Sequence, residues 1–276
     1  MRNAGRNLKN DMPAHPLHLC GVVDSVLDLA HAFTAESCLP VWGCVLADSQ
    51  RHGRGQLRRQ WSSPPGNIYA ALRLPLTRLF ASSAASLAVG TLLAEAFALQ
   101  GVRLLLKWPN DLLLCSPSGN GTRSLPVGKV GGILLEERAG ALIAGIGINV
   151  ASAPSCGHIR AGGMPAACLN DLPQVNIHGK GPLLELWSCL VDSFISCYRQ
   201  WEDPGNSAWL ASAERHLAWK GEDVLLDDGQ CRRGMLLGLA VSGGVRLVCD
   251  GVEEEFVNGS LSPAHWREFS KGWPSV

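Results

Sequence analysis

The sequence predicts an α/β (α+β) fold, in which a large domain of interleaved strands and helices precedes a small β-barrel. From Val22 to Arg215, short apolar runs of strand character alternate with stretches of helical spacing. Past Trp219 the pattern changes to short strand candidates divided by turn signals. With 276 residues, 46% of them hydrophobic and 17% charged, the chain can bury a sizeable core. The expected division is a leader over 1–20, a main domain over 21–218, and the barrel with its tail over 219–276.

Taken in order, residues 1–18 are polar, contain Pro and His, and read as a loose leader. Val22, Val23, Val26, Leu27, Ala30 and Phe33 then follow helical spacing. Val41–Ala47 reads as a short strand, and a loop rich in Gly and Arg runs from Asp48 to Gly66. Ile68–Leu74 is a strand candidate and Ala84–Leu99 a helix rich in Ala and Leu. Val102–Lys107 is strand-like; Pro109 places Trp108–Asp111 at a strand end, because proline cannot donate to a ladder. Leu112–Cys115 resumes as a strand, and Ser116–Gly128, full of Ser, Gly, Pro and Asn, reads as a surface loop. Val130–Glu136 and Ala141–Val150 look paired around a turn at Ala139-Gly140. Residues 151–180 are irregular, Leu183–Trp201 is an amphipathic helix, and a shorter helix lies near Ser207–Arg215. The barrel strands are Asp223–Leu226, Arg232–Ala240, Val245–Cys249 and Val252–Val257, with turns at Asp227-Asp228-Gly229, Ser242-Gly243-Gly244 and Asp250-Gly251.

Lys plus Arg and Asp plus Glu are each 24, and this balance argues against non-specific nucleic-acid binding. The ten cysteines are scattered, without a C-x-x-C pair, and most lie in apolar runs where a free thiol behaves as a small hydrophobe. No signal-peptide pattern opens the chain and no run is long enough to span a bilayer. A cytoplasmic protein with reduced thiols and no membrane partner is expected.

Four segments carry chemistry. Gly53-Arg54-Gly55, with Arg58, Arg59 and Trp61, makes a locally cationic loop whose glycines can aim backbone N–H groups at an anion; a solvated basic loop would look the same. Lys107-Trp108-Pro109-Asn110-Asp111 sets a cation, an amide and a carboxylate at a strand end, which suits a nucleotide with Mg²⁺ or merely caps the strand. Lys129, ahead of Gly131-Gly132, stands where a lysine could bridge a carboxylate and a phosphate, or be an ordinary loop lysine. Gly145-Ile146-Gly147-Ile148-Asn149 is not G-x-G-x-x-G and opens no helix, so it is no dinucleotide fingerprint, and no Walker A motif occurs.

In this order the four segments resemble the biotin protein ligase family, whose motifs read G-R-G-R-x-G-R-x-W, K-W-P-N-D, K-x-x-G-I-L and G-x-G-x-N. The resemblance spans roughly Val22 to Pro263. It implies a catalytic domain on a mixed sheet with an SH3-like C-terminal barrel. It also implies a two-step reaction, in which biotin and ATP give biotinyl-5′-AMP and the biotinyl group passes to a lysine of a biotin carboxyl carrier domain. By resemblance, Lys129 and Arg54 are the catalytic residues. Ser25, Val26, Leu27, Gln50, Arg54, Gly55, Gln56, Lys129 and Gly132 line the biotin side, and Arg59, Trp61, Lys107, Asn110, Asp111 and Asn149 the nucleotide side, with Asp111 a ligand of Mg²⁺. Trp108 is expected as a wall under the site. A homodimer is compatible with the resemblance. About 21 residues precede the first predicted helix, too few for the winged DNA-binding domain of some members, so repressor activity is not expected.

Four positions depart from the family pattern: Val26 and Leu27 stand where Thr-Asn is usual, Gln56 where the second loop arginine is usual, and Arg58 where a glycine is usual. These departures keep a lipoate- or octanoate-handling relative, or a biotin-binding protein with weakened catalysis, as alternatives. A lost charged hydrogen bond to phosphate costs about 1.5–3 kcal/mol. Gln56→Arg is therefore expected to slow release of the acyl-adenylate, measured by its dissociation rate; an unchanged rate would count against a role for this position.

Overall fold

The computed structural model describes residues 15–115, 126–154, 164–172, 175, 178–201 and 208–264, apart from the side chain of Arg58. Leader positions 1–14 and most of the Ser116–Gly128 insertion lie outside the described residues.

The main sheet has seven strands: β1 (Leu17–Val23), β2 (Cys44–Gln50), β3 (Ile68–Leu74), β4 (Leu104–Lys107), β5 (Asp111–Cys115), β6 (Pro126–Arg138) and β7 (Ala141–Ile148). They lie in the order β1-β2-β3-β7-β6-β5-β4. β1 runs parallel to β2 and every other pairing is antiparallel, so the sheet is mixed. Two expectations change here. The end of the predicted leader and the start of the predicted first helix form β1, because Leu17 to Val23 find backbone partners on β2 far along the chain. Helix α1 accordingly begins at Val26 and ends at Ala35. β6 starts earlier than expected: Pro126 and Gly128, read as loop, continue the ladder to β5 across register shifts.

The two faces of this sheet differ in side-chain size. Helix α2 (Ala85–Leu99) covers one face and is buried on nearly every side. An all-round apolar helix of this kind belongs between layers, and α3 (Lys180–Trp201) and α4 (Ala208–His216) pack on its other sides. Gly90 lets α2 approach closely, since a Cβ there would meet Leu106 at 3.0 Å and Ile133 at 3.2 Å. The large core gathers on this face, including Leu92, Phe97, Leu112, Ile133, Ile146 and Trp187. The opposite face is covered by α1 over a smaller cluster of Val26, Leu27, Ala30, Val45, Ala47, Tyr69, Ala71 and Ile143.

The C-terminal part is a five-stranded antiparallel sheet of β8 (Asp223–Asp227), β9 (Cys231–Leu239), β10 (Val245–Cys249), β11 (Val252–Phe256) and β12 (Ser260–Pro263), in the order β11-β10-β9-β8-β12. The sequence pattern missed β12, a four-residue strand ending in proline whose partner is β8, more than thirty residues earlier. This sheet shares the large core through Val224, Leu236, Val245 and Leu261. Trp108 joins the two sheets: it is 2% exposed and its indole N–H donates to the Gly243 carbonyl at 2.9 Å. It is a core residue between the sheets, not a wall of the site. Among the described residues no helix is long and apolar enough to cross a membrane.

Trp108→Phe keeps an aromatic ring but loses the indole N–H, leaving the buried Gly243 carbonyl without this donor. It is expected to lower unfolding free energy by about 1–3 kcal/mol in denaturant titration.

Candidate active site

One transverse row of paired residues crosses the whole sheet: Lys107, Asp111, Gly132, Gly147, Tyr69, Ala47 and Cys20. Directly paired residues point to the same face, so these side chains share the face that α1 covers. The next step along the strands adds Leu134, Gly145, Ala71 and Val45. The row is charged at one end, made of glycine in the middle, and apolar at the other end.

At the charged end Lys129 Nζ lies 2.6 Å from Asp111 Oδ1, and Lys107 Nζ lies 3.3 Å from Asp111 Oδ2. Lys107 is 5% exposed and also donates to the Ser260 hydroxyl at 3.0 Å, so the C-terminal sheet reaches the site. Burial by itself would raise the Asp111 carboxyl; the neighbouring Lys129 and Lys107 charges and their hydrogen bonds outweigh it and hold the group below its usual range. Two ammonium groups against one carboxylate leave an excess positive charge, suited to an anionic ligand.

In the middle, Trp61 lies flat on the glycines. A Cβ on Gly147 would meet its indole at 2.6–2.8 Å, and one on Gly132 at 3.0 Å. Lys129 Nζ stands 5.2 Å from the Trp61 ring centroid, a cation–π contact. The Trp61 indole N–H is buried without a protein partner. Trp61 closes a tight hairpin in which its N–H donates to the Gly53 carbonyl at 2.8 Å and the Gly55 N–H donates to Arg59 at 2.8 Å. Gly53 is needed there, because a Cβ would come within 2.5 Å of the Trp61 carbonyl.

At the apolar end, Gln50 caps α1: its Oε1 accepts from the Val26 N–H at 2.9 Å, and its Nε2 donates to Ser63 Oγ at 3.1 Å. Ser25 is the buried N-cap residue, and Leu27 sits on Gly145, where a Cβ would meet it at 2.9 Å. Tyr69 spends its hydroxyl proton on the Pro64 carbonyl at 2.7 Å, and burial pushes its pKa up to about 12.

Residues 24–152 match the Biotin/lipoate A/B protein ligase family. A biotin–[acetyl-CoA-carboxylase] ligase of Paracoccus denitrificans is 32% identical over 219 residues, covering 74% of this chain and 82% of the relative. This chain belongs to the biotin protein ligase family. The bifunctional ligase/repressor BirA of Bacillus subtilis is 33% identical over 159 residues, which are 54% of this chain and 44% of that protein. In fold, a biotin protein ligase from Aquifex aeolicus solved in complex with biotin and ATP superposes with a TM-score of 0.70 at 24% identity, covering 90% of this chain and 97% of that one.

For a biotin protein ligase, the structure brings together Lys107, Asp111, Lys129, Gly132 and Trp61 from the expected set, with Ser25, Val26, Leu27 and Gln50 at the far end. Asn110 and Asn149 flank the row as braces: their side-chain amides donate to the Ile133 carbonyl at 2.8 Å and the Ala167 carbonyl at 3.1 Å. Gly55, Gln56 and Arg59 form the hairpin turn, with Arg59 exposed. Arg54 does not join the lysines. It donates to Asp28 at 2.6 Å and Glu136 at 3.1 Å, and this hydrogen bond with Arg54 helps hold the Asp28 carboxyl below its usual range. Asp111, expected as a Mg²⁺ ligand, has a lysine ammonium at each carboxylate oxygen. Asp28, Glu136, Arg138 and Ser260 escaped the sequence pattern. Glu136 was findable, because it continues the alternation Gly132, Leu134 on the site face.

Asp111→Asn would leave Lys107 buried without its counter-charge. It is expected to cost about 3 kcal/mol in chemical denaturation. A carboxyl held below its unfolded value stabilises above that value and loses the contribution as pH falls through its lowered one. The gap between parent and variant should therefore narrow as pH is taken below 3.8.

Proposed function

We propose that this chain activates biotin with ATP to biotinyl-5′-AMP and transfers the biotinyl group to a lysine of a biotin carboxyl carrier domain. The observation that carries this is the Lys129–Asp111–Lys107 group set beside a glycine floor. Two anions, a carboxylate and a triphosphate, must meet with their repulsion offset. The excess positive charge at Lys129 and Lys107 does that, and Asp111 fixes both ammonium groups in place. The biotin carboxylate meets Lys129, and the rest of the acid follows the α1 face beside Trp61 toward Ser25, Val26, Leu27 and Gln50. A carboxylate oxygen attacks the α-phosphorus and pyrophosphate leaves. The ε-amine of the carrier lysine then attacks the mixed anhydride and AMP leaves.

The hairpin from Gly53 to Trp61 covers the floor and keeps water from the anhydride. Arg54 serves here as its anchor, through Asp28 on α1 and Glu136 on β6. Gly55, Gln56 and Arg59 lie at the hairpin turn, where they meet the phosphate. Asn110 and Asn149 shape the nucleotide side. Mg²⁺ arrives with ATP as part of the substrate. The catalytic domain begins at β1 and runs to about residue 218; residues 219–264 form an SH3-like barrel that contributes Ser260 to the nucleotide side.

Pyrophosphate release that needs both biotin and ATP, followed by label transfer to a carrier domain, tests the assignment. Lys129→Gln should lower the first step on the order of 10²-fold. Absence of biotin-dependent pyrophosphate release from the unaltered chain would overturn it.

A further inference from the structure

Arg54 shares its two carboxylate partners with a second arginine. Asp28 follows Leu27 on α1, and Glu136 and Arg138 continue the alternation Gly132, Leu134 along β6. Arg54 Nη1 donates to Asp28 Oδ2 at 2.6 Å. Its Nη2 donates to Asp28 Oδ1 at 3.0 Å and to the two Glu136 oxygens at 3.1 and 3.4 Å. Arg138 takes two of the same oxygens: it donates to Asp28 Oδ1 at 3.0 Å and also to Glu136 Oε2. His31, one turn further along α1, comes only to 3.9 Å from Glu136 Oε2 and makes no hydrogen bond there. The side chains are partly exposed, from 20% at Glu136 to 49% at Arg138, so each pair can break and re-form. The stem of the hairpin is held differently, by backbone bonds from Arg51 and His52 to the Val23 and Asp24 carbonyls and by an exposed Arg51–Asp24 pair.

We propose that Arg138 sets how long the hairpin stays closed over the acyl-adenylate, by competing with Arg54 for Asp28 and Glu136. The inference rests on the proposed adenylate-forming reaction. Arg54 rides on the hairpin that carries Trp61, Asp28 sits on the helix that carries Leu27, and Glu136 sits on the strand that carries Lys129 and Gly132. One guanidinium therefore ties both covers of the α1 face to the strand beneath them. Arg138 belongs to β6 and does not travel with the hairpin. When Arg54 lifts away, Arg138 still neutralises both carboxylates, so the open state is not left with two like charges side by side. Asp28 and Glu136 thus favour closure, while Arg138 favours opening. A hairpin that opens too readily loses the mixed anhydride to solvent before the carrier lysine arrives. Arg138 is a positioning residue in this scheme, acting on the reaction only through Arg54.

The test follows release of labelled biotinyl-5′-AMP, formed by the full chain from biotin and ATP with Mg²⁺, once unbound reactants are removed. Asp28→Asn should quicken release about fivefold and Arg138→Gln should slow it by a similar factor, the size expected of partly exposed ion pairs. Asp28→Glu, which keeps the carboxylate, should restore slow release. Glu253→Gln breaks a similarly exposed pair with Arg246 on the C-terminal sheet and should leave the rate unchanged. In about 1 M salt, where exposed charges are screened, the rates of the parent and the two hairpin variants should converge. Opposite signs decide the matter, because a cluster that only supports the fold would move both variants in one direction. Faster release from both, or no change in either, sinks the proposal and leaves the ligase assignment standing. If Asp28→Asn fails to fold, Arg138→Gln is enough: release that does not slow overturns the proposal. No adenylate from the unaltered chain would instead overturn the underlying assignment.

Discussion

The site depends on one carboxylate held between two lysines. Asp111 is placed by β5, Lys107 by the strand before it and Lys129 by the strand after it, so three adjacent strands must be in register for the contacts to form. In a low-dielectric setting an unpaired charge is costly, and Lys107 is nearly fully buried. Asp111 therefore does two things at once: it makes the burial of Lys107 tolerable and it aims Lys129. In a chain whose charges cancel overall, this arrangement concentrates positive charge at one spot.

The rest of the row follows from size. On the α2 face, Leu, Ile and Phe side chains pack into the large core. On the α1 face, glycines at 132, 145 and 147 and alanines at 47 and 71 hold the floor low, and larger side chains from outside the sheet lie on it. Trp61 and Leu27 are those side chains. Both are carried by segments flanking the sheet, a hairpin pinned through Arg54 and a helix start pinned through Gln50. The shape of this face is thus set by what is missing from the strands and by what two short segments lay over the gap.

The C-terminal sheet is part of this construction. Ser260 bonds Lys107, Trp108 bonds Gly243, and a shared core runs beneath both contacts. Both contacts fall on the hairpin between β4 and β5, which carries Asn110 and Asp111.

Much of this was legible in the sequence. Local pattern was enough for β3, α2, β10 and the long α3, because each is a continuous run of strand- or helix-forming residues flanked by loop or turn residues. The ordered motifs singled out Lys107, Asp111, Lys129, Gly132 and Trp61, which the sheet brings together on one face. Only tertiary structure decided the remainder. β1 and β12 exist because distant strands supply their hydrogen bonds, which no local pattern records. Arg54 carries the look of a phosphate ligand in its motif, yet Asp28 and Glu136, from two other elements, take its guanidinium. Asp111 reads as a metal ligand in isolation and becomes the partner of two lysines once its strand lies between theirs. A residue type states what a side chain can bind; the register of the sheet determines which partner reaches it first.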